Sequence, residues 1–301
     1  PIPYTAMSKT ILHLRSEQKP LEHRSCLTPT TAKALIDAGY EVHIEKSPQD
    51  PSRKRIYDDS EFEKIGASLV EDQSWTEAPA DHIILGLKEL DPEEFPLKHT
   101  HVQFAHCYKE QAGWQDVLSR FPRGGGTLLD LEFLEDDKGR RVAAFGFHAG
   151  FAGSALAIKT WVHQQEHGDS QLPGVENFTE GRGYYENENQ MLDQIKSELQ
   201  QAIKTAGRTP RVLVMGALGR CGRGAVEMFE KAGLPEENII KWDLAETAAK
   251  QGPYPEIVES DIFVNCVRCL PFITLDFAGK LITLPRSTFP SQFHPSSMPS
   301  L

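Results

Sequence analysis

The chain has 301 residues, room for two domains of ordinary size, each with its own core. Charged residues make up 25% and hydrophobic ones 39%, the balance of a folded globular chain rather than a disordered one. A net charge of −11 argues against general nucleic-acid binding, which needs a basic face, and no apolar run reaches the ~20 residues of a membrane span.

Residues 1–7, P-I-P-Y-T-A-M, form neither a basic presequence nor a signal peptide, and Met7 is the expected natural start. Five scattered cysteines (Cys26, Cys107, Cys221, Cys266 and Cys269) give no disulfide framework and predict a cytoplasmic protein. Cys266-x-x-Cys269 has redox or zinc spacing but no second pair beside it, so no metal is expected there.

A short strand is predicted at Ile11–Leu14. A helix follows at 28–38, with Thr28 as N-cap, Pro29 in the first turn and Gly39 as the stop. Strand patterns follow at 40–44, 67–70, 82–87, 102–105 and 127–133. Helical ones lie at 60–66 and 112–121. This β-α-β repetition predicts an open parallel α/β domain over residues 1–142. In such a sheet the site belongs at the carboxyl ends of the strands, where Arg15, Lys88, Glu89, His106 and Lys109 fall.

Residues 143–163 are apolar and rich in Gly and Ala, which predicts a tightly packed helix connecting two domains. A polar surface excursion is expected at 164–189, then an amphipathic helix at 190–206, ended by Gly207 and Pro210. The stretch from Arg211 to Phe229, R-V-L-V-M-G-A-L-G-R-C-G-R-G-A-V-E-M-F, reads as strand, glycine turn and helix. Ala217-x-Gly219-x-x-Gly222 is a dinucleotide fingerprint with Ala in the first glycine place. A second apolar run at 239–242 ends in Asp243, 21 residues after Gly222, where the acid that binds the ribose hydroxyls belongs. An acid there favours NAD over a 2′-phosphorylated cofactor. A further strand is predicted at 261–267, giving an NAD-binding Rossmann domain over 143–284. Residues 285–301 hold four Pro and five Ser and predict an irregular tail.

His106 can exchange a proton near neutrality, and Lys88 can do so where burial or nearby cations lower its pKa. Taken alone, His106 reads better as a hydrogen-bonded core histidine and Lys88 as a solvated strand end than as catalytic groups. His99 and His101 are expected to precede a strand that His106 and Cys107 end, some 15 Å away by strand rise, which argues against a metal. Arg24, Arg140 and Arg141 could clamp carboxylates bidentately, or simply sit at the surface.

The combination of L-H-L-R-S-E-Q-K-P-L-E-H-R, L-T-P-T-T, I-I-L-G-L-K-E, H-V-Q-F-A-H-C-Y-K-E-Q-A-G-W, D-L-E-F-L, G-R-R-V-A-A-F-G-F, A-G-F-A-G, V-M-G-A-L-G-R-C-G and K-W-D resembles the fungal saccharopine dehydrogenases that form lysine with NAD. That family is of the alanine dehydrogenase and transhydrogenase type. The resemblance implies an α/β fold of two Rossmann-like domains with parallel sheets and a cleft between them. It also implies oxidative deamination of saccharopine to lysine and 2-oxoglutarate, the last step of lysine synthesis by the aminoadipate route. Lys88 and His106 match the acid-base pair. Arg24, Lys109, Gln111, Arg141 and Phe145 match the substrate site, which Lys88 would also line. Arg140, Gly219, Arg220, Asp243 and Thr247 match the NAD contacts, and Cys221 and Cys266 match a cysteine pair near the cofactor, expected as two thiols in a reducing cytosol although a disulfide is an alternative. Saccharopine, or lysine with 2-oxoglutarate, is the expected partner of a monomeric protein that binds neither nucleic acid nor membrane.

The chain departs from the family after Asn265-Cys266, where Val267-Arg268-Cys269 replaces an aromatic sequence and the family's further NAD-binding segment is not found. The second domain is therefore expected to be incomplete. An alanine dehydrogenase-like enzyme is the alternative, as is a catalytically impaired chain that only binds ligand.

Overall fold

The computed structural model describes residues 9–108, 110–249 and 252–267, with two further strands at 273–275 and 281–283. It divides into two compact units, 1–144 and 145–301. Lys109, Cys269 and the tail at 285–301 lie outside the described residues. Among the described residues no helix is long and apolar enough to cross a membrane.

Unit 1 runs β1 (Ile11–Leu14), α1 (Pro29–Asp37), β2 (Glu41–Glu45), α2 (Asp59–Lys64), β3 (Ser68–Val70), β4 (Ile83–Leu85), β5 (Thr100–Gln103), α3 (Trp114–Gly124) and β6 (Thr127–Asp130). Its six strands form one sheet in the order β3-β2-β1-β4-β5-β6, every pair parallel. This is the doubly wound order, in which the chain reverses its direction of travel across the sheet between β1 and β4. Strand alternation assigns the two faces. Leu12, Leu14, Val42, Ile44 and Leu85 pack with Ala32 and Phe62 on one side. Trp75, Ile84, Leu90, Leu97 and Phe121 form the core of the other.

Helix α1 starts where Thr28 accepts the Thr31 amide and Thr31 returns a bond to the Thr28 amide, a reciprocal cap reinforced by Pro29. Several strand boundaries differ from expectation: β6 ends at Asp130 rather than 133, where a 3-10 turn follows, and the strand expected at 261–267 spans Ile262–Asn265. β4 spans three residues rather than 82–87, and beyond it Gly86 still donates to the Val102 carbonyl at 2.9 Å and lies against the Arg15 guanidinium. β5 begins at Thr100 instead of 102, so His101 lies inside the strand rather than before it. His101 and Gln103 are both buried, so the polar residues of β5 face the interior and give no sign of the strand's start.

Unit 2 runs α4 (Gly146–His167), α5 (Glu188–Ala206), β7 (Val212–Met215), α6 (Arg220–Ala232), β8 (Ile239–Trp242), α7 (Leu244–Ala249), α8 (Pro255–Val258), β9 (Ile262–Asn265), β10 (Ile273–Leu275) and β11 (Leu281–Thr283). Its parallel sheet has the order β8-β7-β9 among the described residues, and β10 and β11 pair separately and antiparallel. The glycine-rich helix α4 packs on α6 within this unit. A Cβ on Gly150 would strike the Cys221 carbonyl, and one on Gly224 would strike that of Phe147. Phe151, Ile158, Trp161, Leu199, Val212, Val214 and Phe229 fill the core around that contact.

Candidate active site

In a doubly wound sheet a ligand settles outside the carboxyl ends of the strands at the point of reversal. In unit 1 that point lies at the ends of β1 and β4, where Arg15-Ser16-Glu17 faces Gly86-Leu87-Lys88. The two segments are bonded to one another. Glu17 accepts the Leu87 amide at 2.7 Å and the Lys88 amide at 3.0 Å. Arg15, 1% exposed, donates to the Lys88 carbonyl and to Gln103 Oε1 on β5. It therefore clasps three neighbouring strands and supports the site from below.

Three further guanidinium groups lie beside this clasp. Arg15, Arg24, Arg53 and Arg55 line one small cleft with Glu17 and Glu22. Arg24 forms a two-point pair with Glu22, Nε to Oε1 at 2.7 Å and Nη2 to Oε2 at 2.6 Å. Burial pushes the Glu22 carboxyl up, but Arg24, with Lys88 further off, holds it below the usual carboxylate range. Burial pushes the Arg55 guanidinium down, though not enough to unseat its charge.

His106 follows β5 in the left-handed region, with φ +54°, which is uncommon for a residue other than glycine. Its Nδ1 lies 2.7 Å from Glu89 Oε2, and its ring stacks on Phe104. Burial pushes the Glu89 carboxyl up. Lys19, its own amide and His106 together bring it down. His101, buried beneath the site, is held neutral: burial, then the charge of Arg15, depresses its pKa to about 3.

The remaining expected residues of unit 1 lie apart from this clasp along the chain. Arg140 and Arg141 stand on a hairpin, Arg140 paired with Asp136 at 2.7 Å and Arg141 with Glu132 at 2.9 Å. The Gln111 carbonyl accepts the Trp114 amide at the turn into α3. Phe145 belongs to unit 2 and precedes α4.

In unit 2 the chain leaves β7 through Gly216, whose φ is +82°, and α6 starts after Gly219. Gly222 lies so close to Gly216 and Ala217 that a Cβ there would stand 2.6 Å from Ala217 Cα. This cradle at the start of a 13-residue helix suits a pyrophosphate. Asp243, at the end of β8, accepts the Leu218 amide at 2.9 Å and the Leu244 amide at 2.8 Å, and these bonds lower its pKa. The acid, half-buried, thereby ties the glycine turn to β8. Thr247 on α7 donates to the Asp243 carbonyl at 2.9 Å. Arg220 opens α6. Cys221 and Cys266 are thiols in contact. Burial and the bond to Cys221 push Cys266 up to about 12.

Glu17, Arg53 and Arg55 escape the sequence reading. Glu17 has a signal, an acid two residues beyond a strand-end arginine. The run Arg53-Lys54-Arg55 looks like any solvated surface segment.

Fold and site define a two-unit α/β protein of the dehydrogenase type. One unit carries a cluster of ionisable side chains at its reversal point, and the other a close-packed glycine turn at the start of a helix. The family described as alanine dehydrogenase/PNT, N-terminal domain, matches residues 13–152. The saccharopine dehydrogenase (NAD(+), L-lysine-forming) of Neurospora crassa is 60% identical over 261 residues, 87% of this chain and 66% of that protein. The one from Yarrowia lipolytica is 58% identical over 274 residues, 89% of this chain and 71% of that protein. The mitochondrial alpha-aminoadipic semialdehyde synthase of Rattus norvegicus is 28% identical over 250 residues, 80% of this chain and 25% of that protein. The chain belongs to the saccharopine dehydrogenase (NAD(+), L-lysine-forming) family and spans about two thirds of the length of these fungal relatives.

Proposed function

We propose that this chain is built for the NAD-dependent oxidation of saccharopine to lysine and 2-oxoglutarate. The observation that carries the reading is the clasp of Arg15, Glu17 and Lys88 at the reversal point, with Arg24 and His106 beside it, in a chain 60% identical to such an enzyme. NAD, when bound, supplies the acceptor for the hydride from the carbon bearing the secondary amine. Gly219, Arg220, Asp243 and Thr247 would hold it, since the Gly222 cradle leaves the pyrophosphate room to reach the backbone.

The chain's own residues perform the proton work. Lys88, its amide held by Glu17, is set to exchange the amine proton of the substrate. His106 turns Nδ1 to the Glu89 carboxylate, which leaves Nε2 for the water that adds to the imine and for the carbinolamine that collapses. A substrate with several carboxylates needs exposed guanidinium groups, because the cleft between Arg15, Arg24, Arg53 and Arg55, about 10 Å³, is too small to admit it. Arg24 and Arg141 would each offer a planar fork, exchanging their present carboxylate partners for those of the substrate. Lys109, Gln111 and Phe145 complete the proposed substrate set, and Arg140 the cofactor set.

The test is NADH formation on mixing the chain with NAD and saccharopine, with alanine as control. Turnover with saccharopine alone supports the reading. Turnover with alanine in place of saccharopine overturns it, and binding of NAD without any turnover shows a chain that only binds ligand.

A further inference from the structure

Three histidines remain outside this account. His13 on β1 is opposite His43 on β2 in register, and His82 stands one residue before β4, whose Ile83 is opposite Leu12. Strand alternation puts all three on the face of the sheet away from Leu12, Val42 and Ile83. Their rings meet with centroids 6.1 Å (His13 and His43), 6.0 Å (His13 and His82) and 5.4 Å (His43 and His82) apart. One ring nitrogen from each lies within 4.8 Å of the other two.

Each ring is prepared differently. Glu45 Oε1 holds His13 Nε2 at 3.2 Å, and Glu41 Oε1 holds His43 Nε2 at 2.7 Å. His13 and His82 are 2% and 7% exposed, yet the buried Nδ1 of each has no hydrogen-bond partner. A buried imidazole nitrogen left without a partner is destabilising. Two such atoms on rings of one cluster, with carboxylates bonded to two of its three rings, call for a ligand that accepts nitrogen lone pairs.

We propose that His13, His43 and His82 bind one divalent transition-metal ion of the zinc type. Three imidazoles are a recognised zinc ligand set, and carboxylates that fix the far nitrogen of a ligating ring are its usual support. Glu41 and Glu45 supply two negative charges to balance the dication. Tetrahedral zinc with nitrogen at about 2.0–2.1 Å puts its ligand atoms about 3.3 Å apart, so the rings must close by roughly 1.5 Å at most, within reach of side-chain rotation. His43, 18% exposed at its side chain, leaves the fourth position open to water. The ion would staple β2, β1 and the start of β4. Through His13 and Glu45, which also accepts the Ser16 amide at 2.8 Å, it would stiffen the segment that carries Arg15 and Glu17.

The test is cobalt titration of the chelator-treated full chain, followed by visible d–d absorption. Bands that saturate at one equivalent, vanish on adding zinc, and are lost in both His43→Ala and His82→Ala but kept in His167→Ala support the site. Far-UV circular dichroism of each variant without metal checks the fold, and His43→Gln at the partly exposed position replaces any variant that unfolds. Absence of bands in the parent chain overturns the proposal. So do bands that survive both histidine changes or carry the intense thiolate charge transfer of the Cys221 and Cys266 pair.

Discussion

Gly222→Ala separates two opposed forces in the cofactor turn. Gly222 is the third residue of α6, and its φ lies outside the left-handed region, so alanine is conformationally acceptable there. Helix propensity alone then predicts a gain of up to about 1 kcal/mol. The space argues otherwise. A Cβ would overlap the Gly216 carbonyl oxygen and lie 2.6 Å from Ala217 Cα and 2.7 Å from the Gly216 carbonyl carbon. Carbon atoms settle at about 3.5–4.0 Å, so turn and helix must part by about 1 Å. Every obstructing atom is backbone, which places the cost near the upper end of the roughly 1–3 kcal/mol of overpacking. The expected net loss of stability is about 2 kcal/mol. The displaced turn should also weaken NADH binding by about 10- to 100-fold, roughly 1.4–2.8 kcal/mol. Thermal melting and NADH fluorescence titration measure the two effects. Gly153→Ala is the matched control, a glycine inside α4 with nothing within 4 Å of its added Cβ, and it should melt slightly higher than the parent. If Gly222→Ala melts at or above the parent and binds NADH equally, the close-packing argument fails.

Asp243→Ala should weaken NAD binding by about tenfold, roughly 1.4 kcal/mol, by removing both the ribose acceptor and the acceptor of the Leu218 amide; an unchanged Kd would remove Asp243 from the site. His106→Gln and Lys88→Met should each lower turnover more than NAD affinity, and turnover equal to the parent's in either would end the acid-base assignment. Glu45 gives a pH prediction. Burial raises its pKa, but the His13 bond and the Ser16 and Trp75 amides lower it further, so it stays charged below its ordinary value of 4.5. A depressed carboxylate contributes stability that is present above that value and lost as pH falls through its folded pKa. Melting temperature should therefore drop as the pH is lowered from 4.5, and less steeply in Glu45→Gln. That variant should also be less stable at neutral pH by roughly 1–3 kcal/mol, and parallel melting curves across the acid range would contradict the role given to Glu45.

The turn that these predictions probe was legible because its information is local. An apolar run, small residues at fixed spacing and an acid at the end of the next strand all fall within 212–243. The cap of α1 was equally plain, since Thr28, Pro29 and Thr31 are neighbours in sequence. The sites of Lys88 and His106 followed from strand order, since they end strands that pair side by side. What stayed hidden is non-local or inverted in polarity. Glu17 reaches Lys88 from 71 positions away, and Glu45 gathers His13, Ser16 and Trp75 from 29 to 32 positions away. No periodicity in one dimension announces such pairings. The start of β5 was misplaced because the imidazole of His101 is buried where pattern rules expect an apolar side chain. The same inversion hid the meeting of His13, His43 and His82, each of which alone reads as a polar residue in or near an ordinary strand.

The central claim is that saccharopine is cleaved at its secondary amine with NAD as oxidant. Its most direct test is the product balance of the purified chain. Incubated with saccharopine and NAD, the chain should release NADH, lysine and 2-oxoglutarate in equal amounts, counted by absorbance and mass spectrometry. NADH formed without matching lysine, or no lysine after prolonged incubation at saturating NAD, would contradict the account.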